Sequence, residues 1–209
     1  GHLAAAIGLF VVLEYLFLQT EASIRFTMWA FGGGINWLIV LGLFMGTGWL
    51  FDKWARSETS RTMQYLGLGL SIVAHTIVYA PLLIFAMLKT GDGTIIAQAG
   101  VITLTVFAGL TGTVFITRKD FSFLGGALSI GAMAAFGVII AAIVFGFTLG
   151  TIFSVLMVAL MAGYILFYTS RIVGYFRPTQ YVSAAALLFS CISTLFWYVL
   201  SLLTSLTGD

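Results

Sequence analysis

A chain of 209 residues that is 61% hydrophobic and only 8% charged is not built for water, because soluble domains carry about 25% charged residues. Its mean hydropathy of +1.12 and its 19 Phe, 5 Trp and 24 Gly against 2 Pro describe a polytopic helical membrane protein, in which Gly lets backbones approach closely. The net charge of +2 gives no footing for a nucleic-acid partner, and a single Cys excludes a disulfide framework and any Cys-rich metal site.

A helix needs about 20 mostly apolar residues to cross the hydrocarbon core. Seven such runs follow in chain order, over residues 3–18, 35–51, 63–88, 95–116, 122–146, 151–168 and 180–206. They are continuously apolar, which excludes a β-barrel's alternation. The expectation is an all-α integral membrane protein with a single seven-helix transmembrane domain over residues 1–209. The first run is short and starts without an initiator Met, so a preceding N-terminal segment is expected. It lacks a basic n-region and a small-residue cleavage site, and reads as a true span, not a signal peptide. The longest connection, "QTEASIRFTMWAFGGGIN", mixes amphipathic and Gly-rich parts and is expected to lie along the interface. The sixth run, "ALMAGYILFYTSRIVGYF", ends at Tyr168 and passes into a polar loop at Thr169, Ser170 and Arg171. No connection is long enough for a soluble catalytic domain.

Orientation follows from Lys and Arg in the connections. Those after the second, fourth and sixth runs hold Lys53, Arg56, Arg61, Arg118, Lys119, Arg171 and Arg177, against Arg25 and Lys89 elsewhere. This places the N-terminus and the loop charges Arg118, Lys119, Asp120 and Arg171 in the cytoplasm, and the C-terminus at Asp209 outside. Small residues recur every four positions at Ala127/Gly131/Ala135, Thr105/Gly109/Thr113 and Ala4/Gly8. The expected use of these stripes is packing within the bundle. Pro81 is expected to kink the third span.

Ionisable residues inside spans are expensive and carry functional hypotheses. Here they are Glu14 and His75. At middle to outer depth they form a candidate proton or ion pair, or alternatively serve as structural hydrogen-bonding groups. The seventh run has no Lys for a retinal Schiff base, and His2 and His75 do not share a depth for a bis-His haem. No P-loop, nucleophile elbow, HExxH or CxxC occurs. No cofactor, metal site or enzymatic activity is expected.

Four stretches, "GHLAAAIGLFVVLEY", "LFDKWARSETSRTMQYLGLGLSIVAHTIVYAPLL", "FITRKDFSFLGGAL" and "GYILFYTSRIV…TQYVSAAALLFSCISTLFWYVLSLL", together resemble the Bax inhibitor-1 family, also called the transmembrane Bax inhibitor motif or YccA-like family. The resemblance implies seven helices with the last one central and an inside N-terminus. In several members, similar in being calcium leak channels, an Asp ending span six and an Asp within span seven share protons and gate the last helix. Two close carboxylates in low dielectric do not both ionise, so their occupancy tracks pH. Aligned on "YILFYTS" and "LFSCISTLF", those positions hold Tyr168 and Cys191. Tyr and Cys ordinarily titrate near 10 and 8.5 and stay neutral through the physiological range. Tyr168 is left as a candidate hydrogen-bonding latch on span seven.

Two functions remain. One is a non-enzymatic regulatory or interaction protein of the bacterial inner membrane, modulating a membrane-anchored protease or serving as accessory subunit of a larger membrane complex. Its contact surface would be a small-residue stripe or the aromatic residues Phe189, Phe196, Trp197 and Tyr198. The alternative is a pH-sensitive calcium or proton leak channel using Glu14, His75 and Asp120, although an isolated carboxylate makes a weak calcium site.

Overall fold

The computed structural model describes residues 1–55, 61–91, 93–177 and 180–207. Arg56 and Asp209, used above for orientation, lie outside the described residues. Among the described residues eight α-helices follow in order: α1 His2–Leu18, α2 Glu21–Phe31, α3 Gly34–Ala55, α4 Arg61–Thr90, α5 Thr94–Thr117, α6 Gly125–Phe145, α7 Thr151–Tyr175 and α8 Tyr181–Leu206, with a 3₁₀ turn at Ser122–Leu124 before α6. No strand occurs among the described residues.

The seven apolar runs coincide with α1 and α3 to α8, and the eighth helix, α2, is the long connection. Helices α4 to α8 are each long and apolar enough to cross a membrane. Helices α1 and α2 meet that test together but are bent by 87°, and α3 is apolar over Gly34–Gly46. The bend is written in the sequence at Thr20. Its hydroxyl accepts the Ser23 N–H at 3.3 Å while the Ser23 hydroxyl donates to the Thr20 carbonyl at 2.8 Å, so α2 starts afresh with its own cap. It buries Ser23, Thr27 and Ala30 and turns Ile24 and Met28 outward. Helix α4 continues through Pro81, which is fully buried.

One boundary is corrected. The sixth run does not end at Tyr168, because α7 continues for about two further turns to Tyr175. Thr169 and Ser170, read as the start of a polar loop, are 2% and 5% exposed and belong to the buried face of the helix.

The chain forms two compact units, 1–84 with 177–189, and 85–176 with 190–209. In the first, His2 Nε2 lies 3.0 Å from the Tyr65 hydroxyl, and its ring is 4.6 Å from that of Tyr181. Eight residues further along α1, Phe10 meets Tyr79 edge-on at 5.6 Å and Phe189 at 5.8 Å. Both contacts advance in the same sense along α1, α4 and α8, so these three run parallel.

In the second unit, α6 and α7 are antiparallel in a close register. A Cβ on Gly163 would lie 2.7 Å from Leu128 Cδ2, one on Gly131 2.9 Å from Leu160 Cδ1, and one on Gly125 2.9 Å from the Phe167 ring. Tyr164 donates to the Leu128 carbonyl at 3.1 Å in the same seam. Helices α7 and α8 are also antiparallel, with Thr151 on Ser205 at 3.1 Å and Ser154 on Ser201 at 3.4 Å. Lys89, ending α4, donates to the Thr204 carbonyl at 2.7 Å, placing a cation where the α8 dipole favours one.

Because the groove that receives Leu128 exists only where Gly163 has no side chain, Gly163→Val should destabilise the protein by about 1–3 kcal/mol. Thermal unfolding in detergent checks this, and adding Leu128→Ala to Gly163→Val should recover part of the loss.

Candidate functional site

Helix α1 buries Glu14 at 6% exposure, and neither carboxylate oxygen has a hydrogen-bond partner. His75, also 6% exposed, engages the Ser71 carbonyl through Nδ1 at 2.7 Å, one turn back along α4. Its ring sits in an aromatic cage, 4.9 Å from Phe44, 5.1 Å from Phe189 and 5.6 Å from Tyr79. No hydrogen bond joins Glu14 to His75: neither Glu14 oxygen has a partner, and His75 Nδ1 is engaged by the Ser71 carbonyl.

Tyr168 is half-buried on α7, its ring stacked on Tyr164 at 5.7 Å and 19° and met edge-on by Phe167 at 5.1 Å. Cys191 is a buried free thiol on α8. Thr169, next to Tyr168, is buried with its hydroxyl unpartnered. Among the described residues no group of three or more His, Cys, Asp or Glu is placed to hold a metal ion.

Three of the four loop charges are brought together on one cavity. Arg118, Lys119 and Asp120 line a cavity of about 230 Å³ with Val114, Ser170 and Tyr175, between the end of α5 and the end of α7. Ser170, buried, donates to the Phe167 carbonyl at 3.0 Å and accepts the Phe121 N–H at 3.2 Å, tying the loop after α5 to α7. The Asp120 carboxylate accepts the Ser122 N–H at 2.8 Å and the Tyr175 hydroxyl at 2.9 Å. These bonds hold its carboxyl below the usual range, Ser122 being the main cause, followed by Tyr175 and then the Arg171 charge. A carboxylate held low contributes its stability above its ordinary value and loses it only as pH falls through the lower folded value. Asp120 is therefore ionised, and bound to its donors, throughout the physiological range. Arg171 itself lies over the Phe167 ring at 5.6 Å.

Sequence reasoning missed two residues of this arrangement. Ser170 was visible only as one of the polar residues after Tyr168, and its bond to Phe121 spans 49 residues. Tyr175 was read as loop, and nothing in the sequence connects it to Asp120.

Removing the Ser170 hydroxyl strands the Phe121 N–H in a part-buried place. Ser170→Ala should cost about 1–3 kcal/mol, with faster amide exchange confined to the loop at 118–122 as the local signature.

The small-residue stripes divide. Gly131 packs under Leu160, as expected of bundle packing. The other two are corrected: Thr105, Gly109 and Thr113 on α5, and Ala4 and Gly8 on α1, are exposed, and a Cβ on Gly109 or Gly8 would meet nothing within 4 Å. The aromatic residues of α8 are corrected in the other direction. Phe189 is 1% exposed and Phe196, Trp197 and Tyr198 are half-buried, so they offer no open face.

A family model described as "Inhibitor of apoptosis-promoting Bax1" matches residues 1–208. An uncharacterised protein of Neisseria meningitidis serogroup A is 28% identical over 190 residues, covering 86% of this chain and 78% of the relative. One from Pseudomonas aeruginosa is 29% identical over 185 residues, covering 83% and 77%. A Vibrio cholerae protein described only as a membrane protein is 35% identical over 127 residues, covering 59% and 55%. With a match that runs almost end to end, and with apolar helices long enough to cross a bilayer, the chain belongs to the Bax inhibitor family of membrane proteins.

Proposed function

We propose that this protein is a non-enzymatic regulatory or interaction protein of the bacterial inner membrane, which binds another membrane protein, such as a protease or a subunit of a larger complex, through the outward face of α5. In this reading the chain works as one seven-span domain, α1 and α3 to α8 crossing and α8 central, with the N-terminus in the cytoplasm and the C-terminus in the periplasm. The observation that carries it is the open Thr105/Gly109/Thr113 face. Thr105 and Thr113 bond back to the Val101 and Gly109 carbonyls at 2.8 Å, so their hydroxyls are neutralised and the face presents a smooth, small surface. In lipid, where burial of apolar area gives little drive, helices associate by such close backbone approach.

A second reading, a pH-sensitive calcium or proton leak channel, is favoured by Glu14. An acid with both oxygens unpartnered in a span is costly, and transport is one reason to keep it. Against gating of the family's kind stands the absence of carboxylates at Tyr168 and Cys191.

A photo-crosslinking residue at Thr105 or Thr113 in native membranes should yield an adduct with another membrane polypeptide, and Gly109→Ile should abolish it. No adduct at either position, from folded and inserted protein, refutes the interaction reading. Proteoliposomes should show no calcium or proton efflux above empty vesicles across the neutral range; efflux that Glu14→Gln suppresses would establish the channel instead.

A further inference from the structure

Three helices end on a residue with positive φ: α4 on Gly91 at 77°, α6 on Gly146 at 72° and α5 on Arg118 at 49°. At two of them the chain uses Gly, which adopts this conformation without a Cβ penalty. At the third it uses Arg, the one non-Gly residue with positive φ among the described residues. The Arg118 N–H closes α5 on the Val114 carbonyl at 2.8 Å, a bond that Gly would make equally well. The backbone therefore gives no reason for Arg here, and backbone strain that persists points to a use for the side chain.

The cavity supplies that use. Arg118 and Lys119 line it side by side, and neither makes an ion pair among the described residues, where Arg25–Glu21 is the ion pair formed. The carboxylate on the wall, Asp120, is occupied by Ser122 and Tyr175, and the buried Ser170 hydroxyl is committed to Phe167 and Phe121. Two cations against one engaged carboxylate leave a net positive recess with an unused guanidinium fork, which matches the oxygens of a phosphate. A calcium ion does not fit, since it prefers six to eight oxygens and would face two cations. Val173, 45% exposed, lines the same cavity, so the recess opens beside an exposed apolar side chain at the end of α7. The polar end of the site is basic and its rim is apolar, the arrangement of a phospholipid at its headgroup level.

We infer that the cavity between the ends of α5 and α7 binds the phosphate of an anionic phospholipid headgroup, with Arg118 and Lys119 as its ligands.

The test is native mass spectrometry and thermal unfolding of the purified protein with phosphatidylglycerol, with phosphatidylcholine and with inorganic phosphate. Wild type should retain phosphatidylglycerol in preference to phosphatidylcholine and melt higher in its presence. Arg118→Gly should weaken that retention roughly tenfold while leaving the lipid-free melting temperature unchanged or raised, because Gly suits the positive φ. Lys119→Gln should weaken it too, and Arg177→Gln, a cation outside the cavity, should not. Equal retention by wild type and Arg118→Gly overturns the inference, as does an equal loss in Arg177→Gln, which would mean general attraction to a basic surface. Stabilisation of wild type but not Arg118→Gly by inorganic phosphate, without any lipid preference, would overturn the lipid assignment in favour of a soluble phosphate.

Discussion

Inside a bilayer no water is available to finish a hydrogen bond, and this constraint shapes every polar contact in the chain. Several hydroxyls within the spans turn back on their own helices: Thr76 bonds the Ile72 carbonyl, Thr194 that of Ser190, Thr204 that of Leu200 and Ser129 that of Gly125. Each then needs nothing from a neighbour, and helices meet through shape. Gly125, Gly131 and Gly163 accordingly carry the α6–α7 contact, with Leu and Phe side chains seated where a Cβ would be. Polar bonds between helices gather at the ends instead, at His2–Tyr65, Thr151–Ser205, Lys89–Thr204 and Asp120–Tyr175. Packing sets the register of α6 on α7, and polar end contacts fasten the helix termini.

How far the sequence could be read follows from this division. Apolar run length located α4, α5, α6 and α8 to within two or three residues, since crossing a bilayer demands length and composition that nothing else mimics. It failed at Tyr168, where polarity was taken for solvent exposure, whereas Thr169 and Ser170 turn inward and α7 carries on. It also failed on the stripes. Spacing by four identifies a face but not its direction, so Thr105/Gly109/Thr113 and Gly131 look alike in sequence and differ in the structure. Polar residues inside spans were easy to find, but their partners were not. Glu14 and His75 are chemically suited to each other, yet neither Glu14 oxygen has a hydrogen-bond partner and His75 bonds its own helix. The loop charges were legible as a topological signal. Their convergence on one cavity needed the ends of α5 and α7 in three dimensions.

The groups on the facing parts of α7 and α8 have a physical consequence for how the two helices hold together. A shared proton between carboxylates would make a contact whose strength depends on pH. Here Tyr168 on α7 is an aromatic ring stacked on another, Cys191 on α8 is a buried thiol, and the bonds between the two helices are hydroxyl to hydroxyl, at Thr151–Ser205 and Ser154–Ser201. Phenol, thiol and hydroxyl groups do not ordinarily change charge near neutrality, and the α7–α8 contact rests on hydroxyl bonds and packing. The ionised groups instead gather where α5 and α7 end, with Asp120 bound by its donors and Arg118, Lys119 and Arg171 beside it. On the lipid-site proposal, electrostatic control of this chain belongs to the anion that meets that basic end.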